Sequence, residues 1–539
     1  MRCRAAAAVV AGAAVLGACT APPPPATPRS TTAPPTLPTP TTTGPPAPRD
    51  LGWGPTDADL EAARDAVAAM SDAELAGQVV VARYDGTSPD AAAALVAEHH
   101  LAGVVVMGDN VAGPDQLRAT ADAVQQAVRD GGRDWPAVVS VDQEGGRVAR
   151  VDEPATAFPT LMTHGAARDP AVTEAAARAS AQELRALGFT VVFAPVADVT
   201  TGPDDPTIGS RSASDDPAVV AEVVTAALQG YQAGGIVGAA KHYPGHGSVP
   251  ADSHETLPVQ DADPASLAQR DLVPFAAAAR AGASMVMMSH IAVEAWDPGV
   301  PASLSPAAYG ALRRTTGFDG VAVTDALDMA AVTRAHGPDD AAVRALAAGA
   351  DLLLMPADTG AAVAALTAAL ADGTLARARV QESAARVVAL MRHQAGAPVP
   401  DPTAVGAHAE ASYAASLAGL TVVDGPCDGR LVGDAVQVVG GTAADRERFA
   451  AAAREAGLGV GSGDVVRLLG GPTSGGSGDV VVALDAPYGL AGSAASTARL
   501  ALYGRTPQAF RALVDVLVGA QQARGRLPVT VEGLTPPCR

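Results

Sequence analysis

Between Lys241 and Pro258 the chain reads KHYPGHGSVPADSHETLP. This stretch holds the only lysine of the 539 residues and three of the ten histidines, His242, His246 and His254. All other side-chain cations are arginines, and asparagine also occurs once, at Asn110, so the composition runs against A-rich codons and Lys241 stands against that bias. Arginine replaces a surface lysine at little cost, whereas a compact ammonium in a tight site has no such substitute. Asp252 and His254 are two residues apart on a segment rich in Gly, Pro and Ser. In an extended segment residues i and i+2 point to the same side. A carboxylate so placed holds an imidazole in one tautomer and stabilises its protonated form, which makes His254 a candidate general acid/base and Asp252 its orienter. The same residue types also cap turns on surface loops. Metal ligation fits less well. His242 and His246 are four apart, but Pro244, Gly245 and Gly247 exclude the helix that would bring both to one face, and no cysteine joins them. No metal and no cofactor are expected.

These residues need a scaffold, and the sequence describes one. From Trp53 to Ala395 short apolar runs alternate with longer alanine-rich stretches of helical character, the pattern of βαβ units in a parallel sheet. Eight runs can be counted: QVVVARY from Gln78, AGVVVMG from Ala102, AVVSVD from Ala137, TVVFAPV from Thr190, IVGAAK from Ile236, SMVMMSH from Ser284, VAVTD from Val321 and DLLLMP from Asp351. Eight units predict an α/β fold, a (β/α)8 TIM-type barrel with insertions, over residues 53–400. Asp142, Lys241 with His242, Ser289 with His290, and Asp325 sit at the ends of their runs, where a barrel builds its active site. Loops being wet explains any one of these polar residues, but the set less well.

From His408 to Arg539 the α/β pattern restarts with GLTVV, AVQVVGG, DVVRLLGG and DVVVALD, interleaved with the helical stretches DRERFAAAAREAG and TPQAFRALVDVLVGAQQ. A second, smaller α/β domain is therefore expected over 408–539. Its GLGVGSG lacks the GK[ST] ending of a phosphate loop and the spacing of a dinucleotide fingerprint.

A formal charge of −20 with no cluster of basic residues excludes a nucleic-acid partner. Residues 1–18 carry Arg2 and Arg4, then an apolar run, then Leu16-Gly17-Ala18, and they read as an export signal; the run is shorter than the roughly 20 residues that span a bilayer. The L-G-A-C ending resembles a bacterial lipobox, which predicts lipidation of Cys19 and a membrane-anchored protein on the extracytoplasmic face. Residues 19–52 form the expected tether, since Thr20 to Asp50 contains twelve prolines and many threonines. Cys427 and Cys538 remain, and in an exported protein they are expected to form a disulfide.

The partner of His254 should be a carboxylate at another strand end, and VTDALDM supplies Asp325. An aspartate nucleophile beside a protonatable group is the layout of a retaining glycosidase, and a histidine, with an ordinary pKa of about 6.5, takes the second carboxylate's place without a second negative charge. DQEGGRVAR from Asp142 to Arg150, PTIGSRSAS from Pro206 to Ser214, KHYPGHGSVPADSH and VTDALDM follow one another in that order. Together they resemble glycoside hydrolase family 3, and the D-S-H loop resembles its β-N-acetylglucosaminidase branch. The resemblance implies that Asp325 is the nucleophile, His254 the acid/base and Asp252 its orienter. It also implies that Asp142, Arg150, Arg211, Lys241 and His242 hold the sugar, in keeping with their capacity to accept from and donate to hydroxyls. The substrate class it implies is the GlcNAc unit of peptidoglycan fragments, or muropeptides.

Two features depart from the family pattern. Ala326 follows Asp325 where a second acid is common, and the last domain, about 130 residues, is short. Three other readings stay open: a β-glucosidase or β-xylosidase of the same family, a phosphorylase using phosphate in place of water, and a wall-binding lipoprotein without chemistry. The oligomeric state is not specified by the sequence.

Overall fold

The computed structural model describes residues 48–535, 537 and 538. The expected export signal, Cys19 and the expected tether up to residue 47 lie outside the described residues. Eight parallel strands form one sheet: β1 Val80–Arg83, β2 Gly103–Val106, β3 Val138–Val141, β4 Val191–Val192, β5 Val237–Tyr243, β6 Met285–Met288, β7 Val321–Thr324 and β8 Leu353–Leu354. Each strand lies beside its neighbours in sequence, with β8 next to β1. A parallel bridge between Val323 and Leu352 joins the two edges, so that the sheet closes into a barrel. All eight runs read from the sequence supply a strand. Their Val-, Ala- and Met-rich segments are buried because a barrel strand is covered on both faces, and β-branched side chains suit that pleated surface. Two long outer helices start where the sequence places an aspartate before a proline. Asp169 accepts from Ala171 N and Val172 N at the head of Pro170–Ala186, and Asp216 accepts from Ala218 N at the head of Pro217–Ala233. At the opposite end from the site, buried Asp351 enters β8 held by Arg313 at 2.6 Å and Arg379 at 2.8 Å. Among the described residues no helix is long and apolar enough to cross a membrane.

The second domain is a six-stranded sheet: β9 Thr421–Asp424, β10 Ala435–Gly440, β11 Gly459–Val460, β12 Asp464–Leu469, β13 Ser477–Ala483 and β14 Ala494–Ala501, in the order β9-β14-β13-β12-β10-β11. Only the β9–β14 pair is antiparallel. The sequence reading counted four of these strands and missed β11 and β14. The first is two residues long. The second, AASTARLA, alternates small and polar residues, with buried positions only towards its end. One face of the sheet packs on the helices Ala443–Glu455 and Pro507–Leu517 around Phe449 and Phe510. The other buries Val481, Ala483 and Tyr503 against Met162 and Ala166 of the barrel. Thr160 Oγ1 and Thr163 Oγ1 both donate to Tyr503 O, at 2.7 and 3.1 Å, and Thr530 N donates to Asp215 at 2.7 Å. Cys427 and Cys538 are disulfide-bonded across 111 residues, tying the C-terminal tail to the loop after β9.

Candidate active site

The C-terminal ends of β3, β4, β5 and β7 bring together a set of charged side chains. Lys241, near the end of β5, places its ammonium 2.6 Å from Asp142 Oδ1, immediately after β3, and 2.7 Å from Glu144 Oε1, on the hairpin that follows. Arg211 reaches the same Glu144 with two bonds, Nε to Oε2 at 2.9 Å and Nη2 to Oε1 at 2.8 Å. Burial opposes charge on Glu144, but the Arg211 guanidinium and the Lys241 ammonium outweigh it and hold this carboxyl far below the ordinary glutamate value. Burial likewise disfavours the Lys241 ammonium, and Asp142 and Glu144 more than offset it, so its pKa rises. The lone lysine is thus an ion-pair hub with a side chain only 3% exposed. Arg150 donates its backbone N–H to Gln143 Oε1 at 2.8 Å, and its Nε is buried without a partner among the described residues.

His242 is oriented by Asp198, beyond the end of β4. Its Nδ1 lies 2.7 Å from Asp198 Oδ2, and because a carboxylate only accepts, Nδ1 carries the hydrogen. Asp198 Oδ1 also accepts from the backbone N of His242 at 3.2 Å and of His246 at 2.6 Å. Asp325 follows β7 directly and accepts from Ala326 N at 2.8 Å. Burial pushes its carboxyl up, but His242, His290, the Ala326 N–H and Lys241 together hold it below the ordinary aspartate value, so it is an anion in the working range of pH. His290 is buried between Ser303 Oγ at 2.7 Å and Ala326 O at 2.8 Å. A carbonyl only accepts, so Nε2 carries a hydrogen and donates to Ala326 O. Burial keeps this ring below the ordinary histidine value. His290 therefore braces the backbone beside Asp325.

Asp252 and His254 do form a pair, by a different geometry from the extended segment expected. The residues sit in a turn. Asp252 Oδ1 accepts from His254 N at 2.9 Å and from His254 Nδ1 at 2.7 Å, while Asp252 O accepts from Glu255 N and Thr256 N at 3.0 Å each. An Asx-turn, in which the aspartate caps the backbone two residues on, brings the pair together. Burial of Asp252 is outweighed by the two bonds from His254, which lower its pKa. No partner bonds His254 Nε2 among the described residues, so that nitrogen can give or take a proton.

Glu144, Asp198 and Ser253 are parts of this site that the sequence pattern did not single out, whereas His290 stands among the strand-end residues it did. Glu144 was present in DQEGGRVAR, and Asp198 ends the run TVVFAPVAD, so the rule that points to strand-end polar residues finds Asp198 as well. Arg211, expected on the sugar, is committed to Glu144 through two of its nitrogens. One consequence is measurable. Glu144 contributes stability that is fully present above the ordinary glutamate pKa of about 4.3 and is lost as pH falls through its lowered folded value. Glu144→Gln is expected to lose about 2 kcal/mol at pH 7 in urea unfolding, and the gap to the native protein to shrink below about pH 4. A gap that does not change with pH would contradict this.

The Glycosyl hydrolase family 3 N terminal domain matches residues 72–390, a span that contains all eight barrel strands. Beta-hexosaminidase A of Pseudoalteromonas piscicida is 36% identical over 287 residues, 50% of this chain and 48% of that protein, so the chain spans about half the length of that relative. Beta-hexosaminidase LpqI of Mycobacterium tuberculosis is 36% identical over 319 residues, 56% of this chain and 78% of that protein. The solved structure of a glycoside hydrolase family 3 beta-N-acetylglucosaminidase from Paenibacillus sp. str. FPU-7 matches with a TM-score of 0.76 at 29% identity, covering 86% of this chain and 99% of that one. With a closed eight-stranded barrel, a carboxylate at the mouth of β7 and relatives named as β-hexosaminidases, the chain belongs to glycosyl hydrolase family 3.

Proposed function

We propose that the chain is an exo-acting, retaining β-N-acetylglucosaminidase that removes terminal GlcNAc from muropeptides. The observation that carries the reading is the Asp252–His254 pair with Nε2 free, on a loop bound to the segment that follows the ionised Asp325. In the first step Asp325 attacks the anomeric carbon while His254, protonated, gives its proton to the departing oxygen, leaving a glycosyl-enzyme and a neutral imidazole. In the second, His254 takes a proton from water as the water displaces Asp325, and the sugar leaves with its configuration retained. Asp142, Lys241, Arg150 and His242 hold the hydroxyls, and Arg211 holds the clamp through Glu144. Support for the hexosaminide comes from the named relatives. The wall-fragment substrate and anchorage through Cys19 on the outer face of a membrane rest on the N-terminal pattern and the proline-rich tether.

Aryl N-acetylglucosaminide, glucoside and xyloside, with a purified disaccharide muropeptide, test the reading. Expected are turnover of the N-acetylglucosaminide well above the other two, release of free GlcNAc from the muropeptide, and loss of about 10²-fold or more in His254→Ala. Preference for the plain glucoside, glucosaminyl phosphate as the product in phosphate buffer, or equal activity in His254→Ala would each overturn part of it.

A further inference from the structure

We propose that Ser253 is a positioning residue that latches the loop bearing Asp252 and His254 to the barrel, and so sets where the His254 proton is delivered. The inference rests on reading His254 as the acid/base and goes beyond it, since it concerns what holds that group in place. Asp252 and His254 do not hold themselves. Their side chains are 32% and 65% exposed, and every hydrogen bond found for them among the described residues lies within their own turn. Such a turn can swing as a unit.

Ser253, between them, points the other way and is 1% exposed. Its Oγ lies 2.9 Å from His246 Nε2, and its carbonyl accepts from Ala331 N at 3.2 Å. The two partners belong to the two halves of the site. His246 is pinned through its backbone N to Asp198 Oδ1 at 2.6 Å, on the carboxylate that orients His242. Ala331 lies in the helix Ala330–Thr333, six residues beyond Asp325. Ser253 therefore fastens the acid/base turn at once to the sugar clamp and to the nucleophile's own loop. Proton transfer needs donor and acceptor within about 2.6–3.2 Å, and a misplacement of about 1 Å costs on the order of 10²-fold, so freeing this turn should impair proton delivery more than sugar binding.

That difference separates the latch from a purely structural role. A dinitrophenolate departs without a proton, whereas a phenolate needs one, so kcat/KM is compared on dinitrophenyl and phenyl N-acetylglucosaminides for the native protein, Ser253→Ala, Ser253→Thr and His254→Ala. Expected are a loss of about 10-fold or more for Ser253→Ala on the phenyl substrate and less than about 3-fold on the dinitrophenyl one, with Ser253→Thr, which keeps the hydroxyl, recovering most of the loss. An equal loss on both substrates, or none, would overturn the latch. His254→Ala is the separate control. If it shows no dependence on the leaving group, the assignment of His254 itself fails; if it shows one and Ser253→Ala does not, only the latch fails. Should Ser253→Ala not fold, His246→Ala removes the same hydrogen bond from the barrel side and is read in the same way.

Discussion

Asp325→Ala lowers kcat/KM on an aryl N-acetylglucosaminide by about 10⁴-fold or more, the largest effect expected of any single change in this chain. The carboxylate is poised for attack because three neighbours and one backbone N–H overcome its burial, keeping it ionised without covering it. Removing it takes away the bond that forms in the first step, and the acids of the clamp are already engaged. Asp142 and Glu144 are bound to Lys241, and Asp198 to His242. Added azide supplies the diagnostic result. With the space of the side chain vacated, azide attacks from the face Asp325 occupied, and the product is the α-glycosyl azide. A variant within tenfold of native activity, or a β-azide product, would remove Asp325 from the role of nucleophile.

The second large effect is on the hub. Lys241→Met is expected to destabilise the protein by about 3–5 kcal/mol, because it leaves two neighbouring carboxylates to share Arg211 in a buried place. It should also lower kcat/KM by about 10²-fold in whatever protein remains folded, as Asp142 loses the bond that fixes it. Lys241→Arg is expected to restore little. A planar guanidinium does not fit the point between two oxygens at 2.6 and 2.7 Å, and it would lie against Arg211. Urea unfolding and steady-state kinetics on the two variants check this. An arginine variant with native stability and native kcat/KM would show that any cation serves, and that the lone lysine reflects chance rather than fit.

The barrel was legible because its strands are covered on both faces and therefore read as short, continuous apolar runs, each followed by helix-forming alanine stretches. The second domain was less so, and β14 shows why. A strand of Ala, Ser, Thr and Arg carries no apolar run, and it is a strand because β9 and β13 flank it. Within the site, strand-end polarity pointed to Asp142, Lys241, His242 and Asp325. It gave no means of ranking Glu144, whose importance lies in two cations arriving from β5 and from the Arg211 segment. Ser253 was invisible for a similar reason, since a serine in a polar loop carries no signal until its burial and partners are known.

By itself the sequence determined the local chemistry: which residues carry protons and charge, how far apart they are along the chain, and that Asp252 lies close enough to His254 to orient it. Spacing fixes such pairs because two residues cannot separate by more than a few ångströms. Only the tertiary structure decided which charges neutralise one another across the barrel mouth. It made Lys241 a clamp for Asp142 and Glu144, spent Arg211 on Glu144, and turned Ser253 inward to hold the acid/base turn. The Arg211–Glu144 and Lys241–Asp142 contacts join residues 67 and 99 positions apart in sequence, and barrel closure, which no local pattern encodes, is what brings them within hydrogen-bonding distance.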